Sequence, residues 1–345
     1  MDAFNRLLLL AILCLLGLGC SFEHEAAEEV GSVESALHHK HAHASRDLKR
    51  SFVQLVRTFA LEKAVNAHDV SRIARAHAAS GRLDIVGFPV REGRAAIATQ
   101  VETLFQAFPA AEFGFVRLWL RDDTVIGEWV LRGVQTGAFG ALPATGLEAG
   151  VRGASVLSFD ARGEIRHHVM YFDAVTVLSQ LGFQASPARP VPALPGRPEV
   201  HLRRADPSEA VLATWSRAFY DAFESGDTGN IEPLLASDMT FDNCVEAAPR
   251  FGASAFVESF VEYTTAFPDN VITEASQWFV GNTAIVENVV DATHLGALGP
   301  IPPTGRPVHL RFLDILEVQH GAVMSDGHTY TNYLDLFQQI GLSSL

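Results

Sequence analysis

At 345 residues the chain is too long for one ordinary hydrophobic core and fits two domains of roughly 100–200 residues each. Hydrophobic residues make up 48%, including 23 phenylalanines, which argues against wholesale disorder. With 26 basic residues against 40 acidic ones the formal charge is −14, which argues against a nucleic-acid partner and against electrostatic adhesion to anionic lipid.

Arg6 precedes an unbroken apolar stretch, Leu7–Gly19, that ends at Cys20. It is too short to span a bilayer core, which needs about 20 residues, but it suits the apolar region of a secretory signal. Gly19-Cys20 resembles the bacterial lipobox, in which cleavage before the cysteine exposes a thiol that takes up diacylglycerol. The match departs at Gly17, where the lipobox usually has leucine, and Asp2 offsets Arg6. The expectation is a signal peptide over 1–20 with lipid on Cys20. The protein would then be an exported bacterial lipoprotein, held to the membrane and facing the periplasm or exterior. The alternative is ordinary cleavage near Ala26-Ala27. Of the other cysteines, Cys14 lies in the signal and Cys244 would be alone, so no intrachain disulfide is expected.

Residues 21–50 read as a flexible tether, Glu-rich first and then carrying His38, His39, His41 and His43. Such a tract either holds Zn or Cu through neutral imidazoles or is a solvated linker. A first domain is expected over 51–183 and a second over 208–345. The linker between them, 184–207, holds Pro187, Pro190, Pro192, Pro195, Pro198 and Pro207, which break any helix or ladder. Neither domain carries H-E-x-x-H, paired cysteines or a phosphate-cradling glycine loop, so neither metal nor cofactor is expected.

The two domains are one sequence twice. A shift of 159 residues aligns Phe108–Phe183 with Phe267–Leu342 without a gap, giving 18 identities in 76 positions. The matches include Phe108/Phe267, Trp119/Trp278, Glu128/Glu287, Gly137/Gly296, Thr145/Thr304 and Tyr171/Tyr330. Upstream, Ile97, Val101, Leu104 and Phe108 repeat as Phe256, Phe260, Tyr263 and Phe267, at the spacing of one apolar helix face.

In the second copy the pattern predicts helices over Val211–Ser225, about Asn230–Leu235, Gly252–Phe267 and Leu334–Ile340. Strands are predicted over Met239–Cys244, Ile272–Val280, Thr283–Leu295, Val308–Val318 and Ala322–Tyr333. Gly281-Asn282 and His320-Gly321 read as hairpin turns. Helices first and then an antiparallel meander mean an α+β fold with helices on one face of a curved sheet.

The stretch Asp291-Ala292-Thr293-His294-Leu295-Gly296, followed by Ile301-Pro302-Pro303-Thr304-Gly305-Arg306, resembles the G-T-H-x-G … P-P-T-G-R segment of SnoaL-like polyketide and ester cyclases, part of the NTF2-like superfamily. The resemblance implies a cone: a bent, mainly antiparallel sheet and three helices enclosing an apolar cavity, often dimerising through the sheet. Two such cones in tandem are expected to pair as an intramolecular pseudo-dimer. The fold hosts both enzymes and non-enzymes, so function has to come from the site.

On the strand Val308–Val318 one face reads Val308, Leu310, Phe312, Asp314, Leu316 and Val318. A lone carboxylate there would have a raised pKa useful to an acid or base, and its position matches an acid/base Asp in the family. The alternative is a hydrogen-bonded structural Asp. His294 falls on the G-T-H histidine and could orient a substrate oxygen, or be satisfied by loop backbone. His328 and Tyr330 join Asp314 only if the hairpin register turns His328 to its face. Asp242, Asn332, Phe312 and Trp278 are the candidate substrate contacts, although Asn332 stands where the family commonly has Asp. His309 and Arg311 are expected in solvent. Copy one has Ser155 for Asp314, Gln135 for His294 and Val169 for His328, and so reads as a degenerate structural partner.

The expected function is cofactor-free acid/base catalysis, of cyclase, isomerase or lyase type, on a small apolar carbonyl compound outside the cytoplasm. The alternative is a non-catalytic lipoprotein that binds an apolar ligand or a partner protein. A cavity enclosing Asp314 favours the first, and a plugged one the second. Export has its own test: Cys20→Ala should leave an unprocessed precursor and abolish fatty-acid labelling. Normal processing of a wild-type protein that carries no lipid would remove the anchor.

Overall fold

Runs such as Thr124–Val134 and Thr283–Thr293 are buried along most of their length rather than at alternate residues. A strand reads that way when its sheet is covered on both faces. Here helices cover one face of each sheet and the other sheet covers the second.

The computed structural model describes residues 30–184, 189–202, 208–319 and 322–342. The chain divides into two units, 1–48 and 49–345. Residues 30–48, within the first unit, lie in helix α1 (Val30–Asn66). The tether expected over 21–50 is thus helical from Val30 on, in a proline-free run containing Ala36, Leu37, Ala42 and Ala44. The candidate signal with Cys20 and the turn at His320-Gly321 lie outside the described residues.

Copy one adds α2 (Val70–Ala76), β1 (His77–Ile85), β2 (Arg91–Glu92), α3 (Gly93–Ala107), β3 (Glu112–Arg121), β4 (Thr124–Val134), β5 (Glu148–Phe159), β6 (Ile165–Phe172) and α4 (Ala174–Gln180). A linker strand, β7 (Glu199–Leu202), follows. Copy two comprises α5 (Ser208–Ser225), α6 (Thr228–Ile231), β8 (Leu235–Asn243), β9 (Arg250–Phe251), α7 (Ala253–Ala266), β10 (Val271–Val280), β11 (Thr283–Thr293), β12 (Pro307–Gln319), β13 (Val323–Tyr330) and α8 (Tyr333–Gln339). The sheet orders are β2-β1-β6-β5-β4-β3-β7 and β9-β8-β13-β12-β11-β10, the same winding twice. The β1–β6 and β8–β13 pairs are parallel and each sheet is otherwise antiparallel apart from β7. The linker corrects one expectation. Its proline run ends at Pro198, and the next four residues add a parallel edge strand to β3.

The repeated Gly137/Gly296 has a steric cause. A Cβ at either position would lie 1.9 or 2.0 Å from a carbonyl of the preceding helix, that of Gln106 or Thr265. Each glycine instead donates its N–H to the helix end, at Ala107 O and Ala266 O.

The sheets meet through the faces turned away from the helices. Trp119, Ile126, Val156 and Val169 of copy one pack with Val280, Ile285, Leu313 and Ile315 of copy two. Polar contacts across this seam come in pairs related by an approximate two-fold axis. The Tyr330 hydroxyl donates to Glu128 at 2.7 Å, and the Tyr171 hydroxyl donates to Glu287 at 2.8 Å. Arg311 bonds Asp84 at 2.9 Å, and Arg152 approaches Asp242 at 4.0 Å. Near the axis Asp173 caps α4 and also accepts the N–H of Tyr333, while Asn332 caps α8 and accepts the N–H of Ala174. Asn rather than Asp at 332 avoids a second buried charge and supplies a donor to Val86 O at 2.9 Å.

Glu128, 2% exposed, holds the densest knot. It accepts from Arg117 at 2.5 Å, His328 at 2.6 Å and Tyr330. Burial alone would raise its pKa, but the His328 and Arg117 charges hold it far below the usual carboxylate range. Removing one member of such a cluster strands the others, so Arg117→Ala should cost about 3–5 kcal/mol, read by chemical denaturation. A loss below ~1 kcal/mol, the value of an exposed pair, would contradict this role.

Candidate functional site

Asp314 does point inward from β12, with 8% exposure. It is fully engaged there: Tyr220 and Asn288 donate to Oδ2 at 2.9 and 2.8 Å, and Thr329 donates to Oδ1 at 2.7 Å. Burial raises its pKa, and the three donors work against that shift. Aromatic side chains pack the space beneath it, with Phe219, Phe223, Phe241, Phe256 and Phe260 in one cluster with ring centres 4.8–6.3 Å apart.

The other predicted residues do not converge on Asp314. His328 pairs with Ile315 in the β12–β13 register, so His328 and Tyr330 face the seam between sheets. The register shift falls between Glu317 and Val318 and does not bring His328 round. Trp278 is also on the seam, and Asp242 is held by Arg189 from the linker at 2.5 Å. Phe312 packs beside the core at the open end of copy two, and Asn332 is a helix cap. His294 is fully buried. Its Nδ1 accepts from the Thr304 N–H at 3.3 Å and lies 3.1 Å from the Thr304 hydroxyl, which closes the Pro302–Gly305 loop. Gln135 does the same for copy one through Thr145. Arg311, expected in solvent, reaches across the seam to Asp84, whereas His309 is exposed beside Asp291.

The large cavity is in copy one. It has a volume of about 740 Å³, within the range of small-molecule sites, and mostly apolar walls. Leu61, Val65, Leu83, Ile97 and Val101 line it, and α8 of copy two contributes Leu334 and Gln338. Those five aliphatic residues occupy the places of the five phenylalanines that fill copy two. The equivalence follows from the pairing: Leu83 lies opposite His168 and Phe241 opposite Gly327, 159 residues on. Likewise Asn66 holds the N–H of Phe113 and Glu224 that of Ile272.

A polar chain forms one wall of this cavity. His77 Nδ1 lies 3.0 Å from Ile73 O, His77 Nε2 lies 3.3 Å from His168 Nδ1, and His168 Nε2 lies 3.1 Å from Ser155 Oγ. Trp129 Nε1 donates to the same Oγ at 2.9 Å. Burial depresses both imidazoles, His168 well below its ordinary value, so both are neutral at pH 7. The direction of the chain then has one solution. A carbonyl only accepts, so His77 Nδ1 carries its proton and Nε2 accepts from His168 Nδ1. His168 Nε2 in turn accepts from the Ser155 hydroxyl. Ser155 occupies the place of Asp314, and Trp129 that of Asn288.

A family model for SnoaL-like polyketide cyclases matches the chain twice, over residues 54–181 and 213–340. The chain belongs to the SnoaL-like polyketide cyclase family. Solved structures similar to this SnoaL-like protein include AclR from Streptomyces galilaeus, with 20% identity and a TM-score of 0.35, covering 38% of this chain and 96% of its own. IdmH from Streptomyces antibioticus has 22% identity and a TM-score of 0.34, covering 37% and 97%. TsrD from Streptomyces laurentii has 18% identity and a TM-score of 0.36, covering 41% and 100%. No curated protein matches the chain.

His77 and His168 were not among the expected site residues, because copy two has no counterpart for them and the repeat does not mark them. The exchange of phenylalanine for aliphatic residues between the copies was the available signal for the cavity. The pH dependence follows from the sign of the shifts. Two histidines with lowered pKa contribute stability present above about pH 6.5 and lost as pH falls below it, because the unfolded chain takes up the protons. His328, raised by Glu128 against the effect of its burial, works in the opposite direction. In melts between about pH 7 and pH 5, His168→Gln should lose less stability than the wild type. An unchanged pH slope would contradict a neutral, buried His168.

Proposed function

We propose that copy one binds a small apolar carbonyl compound and carries out cofactor-free acid/base chemistry on it, of the cyclase or isomerase type, with copy two as its built-in partner. The observation that carries the reading is a 740 Å³ apolar cavity with a directed Ser155–His168–His77 chain on its wall. In this reading Ser155 Oγ takes a proton from the carbon next to the substrate carbonyl as its own proton passes to His168 Nε2. The enolate closes on a second carbonyl or is reprotonated at another carbon, and the proton returns by the same path. A neutral imidazole of depressed basicity is a weak base, which restricts the chemistry to activated C–H groups such as those of 1,3-dicarbonyl compounds. Trp129 holds Ser155 from the other side and fixes the direction of transfer.

The paired Tyr–Glu contacts, Tyr330 to Glu128 and Tyr171 to Glu287, support the pseudo-dimer reading, in which the two copies of one chain pair through their sheets. The N-terminal signal and lipid anchor read at Cys20 would place this activity at the outer side of a membrane. A second reading, capture of the apolar molecule without turnover, is favoured by the low basicity of His168. Deuterium exchange at the central carbon of small cyclic and linear 1,3-diketones separates the two. Wild type should accelerate exchange, Ser155→Ala and His168→Gln should reduce it by about 10²-fold or more, and Asp314→Asn should leave it intact. Tight binding with no exchange leaves the capture reading, and exchange lost only in Asp314→Asn would move the site back to copy two.

A further inference from the structure

The two-fold relation between the sheets fails around the buried glutamates, where Ser276 and Val169 of the second half stand for Arg117 and His328 of the first, and a cavity opens there. Arg117 on β3 stands opposite Glu128 on β4, and the corresponding pair on β10 and β11 is Ser276 opposite Glu287. In the first half of the seam the Arg117 guanidinium lies 5.1 Å from the centre of the Trp119 ring and bonds Glu128, which Tyr330 also bonds. In the second half the tryptophan, the glutamate and the tyrosine are all repeated, as Trp278, Glu287 and Tyr171. Ser276 puts a hydroxymethyl where the guanidinium was.

The space left is about 200 Å³, lined by Trp278, Glu287, Tyr171, His167, Ser276 and Arg311 among others. Glu287 accepts from Tyr171 at 2.8 Å, and among the described residues no Arg, Lys or His stands within ion-pair distance of it. Arg311 is engaged by Asp84 at 2.9 Å and lies over the Tyr171 ring. His167 Nε2 is buried without a hydrogen-bond partner among the described residues. Its imidazole is held below its ordinary pKa, burial being the main cause, and so adds no positive charge at pH 7. The charged groups lining this space are Glu287 and Arg311; Arg311 is already paired with Asp84, which leaves the Glu287 carboxylate without a cation of its own beside an aromatic face.

We propose that this cavity is a binding site for a small guanidinium compound, seated between the two sheets against Trp278 and Glu287 as the Arg117 side chain is seated against Trp119 and Glu128. The planar cation matches a carboxylate through two parallel N–H bonds and stacks on an indole face, so one ligand uses both walls. Because its contacts come from both copies, its binding stabilises the seam.

Ethylguanidinium chloride, titrated into the full chain at constant ionic strength, is the probe. Calorimetry should give saturable binding with Kd on the order of 1 mM, and melting should shift up by roughly 2–4 °C near saturation. Ser276→Arg fills the space from within, so it should abolish binding and raise the melting temperature of the free protein. Glu287→Gln keeps the shape and removes the charge, and should weaken binding at least tenfold. Ethylurea, the neutral analogue, should not bind. Equal binding of ethylurea and ethylguanidinium, unchanged binding in Glu287→Gln, or no saturation in the wild type would each overturn the proposal.

Discussion

A carboxylate shut away from water, Glu128, sits in the contact between the two sheets, and it is tolerable only because both copies answer it. Arg117 comes from its own sheet, and His328 and Tyr330 come from the other. An unpaired charge there would cost far more than the burial of its neighbours returns, so the two sheets are committed to one another in one register. Much else follows from that commitment. The reciprocal caps at Asp173 and Asn332 close the ends of α4 and α8 against each other, and α8 thereby reaches the rim of the first cavity.

Within that frame the copies have diverged in the way they fill their cones. Copy two packs five phenylalanines against one another in the space beneath Asp314. Copy one sets Leu61, Val65, Leu83, Ile97 and Val101 at the same places and is hollow. The polar centres changed in parallel. In copy two a carboxylate is satisfied by Tyr220, Asn288 and Thr329. In copy one Ser155 stands between Trp129 and a histidine pair that has room for a ligand beside it. The copy with a buried carboxylate has a packed interior, and the copy with the open space carries other polar groups.

The duplication, the order of the main elements and the limits of β10, β11 and β12 to within two residues were legible, because periodicity and turn residues are local signals; β8 begins four residues before Met239, and the two-residue β9 carries no periodicity to read. The inward face of Asp314 was legible by alternation along β12. The side of His328 was not, since it depends on where the ladder shifts, a property of the β12–β13 pairing rather than of either strand. Trp119/Trp278, Glu128/Glu287 and Tyr171/Tyr330 stood out as repeated residues, yet their common cause is the seam, which no single copy contains. The link between His77 and His168 was not legible for a related reason. They lie 91 positions apart, and only the parallel pairing of β1 with β6 brings them to 3.3 Å.

The proposed function places the working cavity in copy one. Crystals soaked with a small apolar 1,3-diketone test it most directly. The diketone is expected among Leu61, Val65 and Ile97, with one oxygen within hydrogen-bond distance of Ser155 or His168. Density for the ligand beside Asp314 in copy two, with the first cavity holding only solvent, would contradict it.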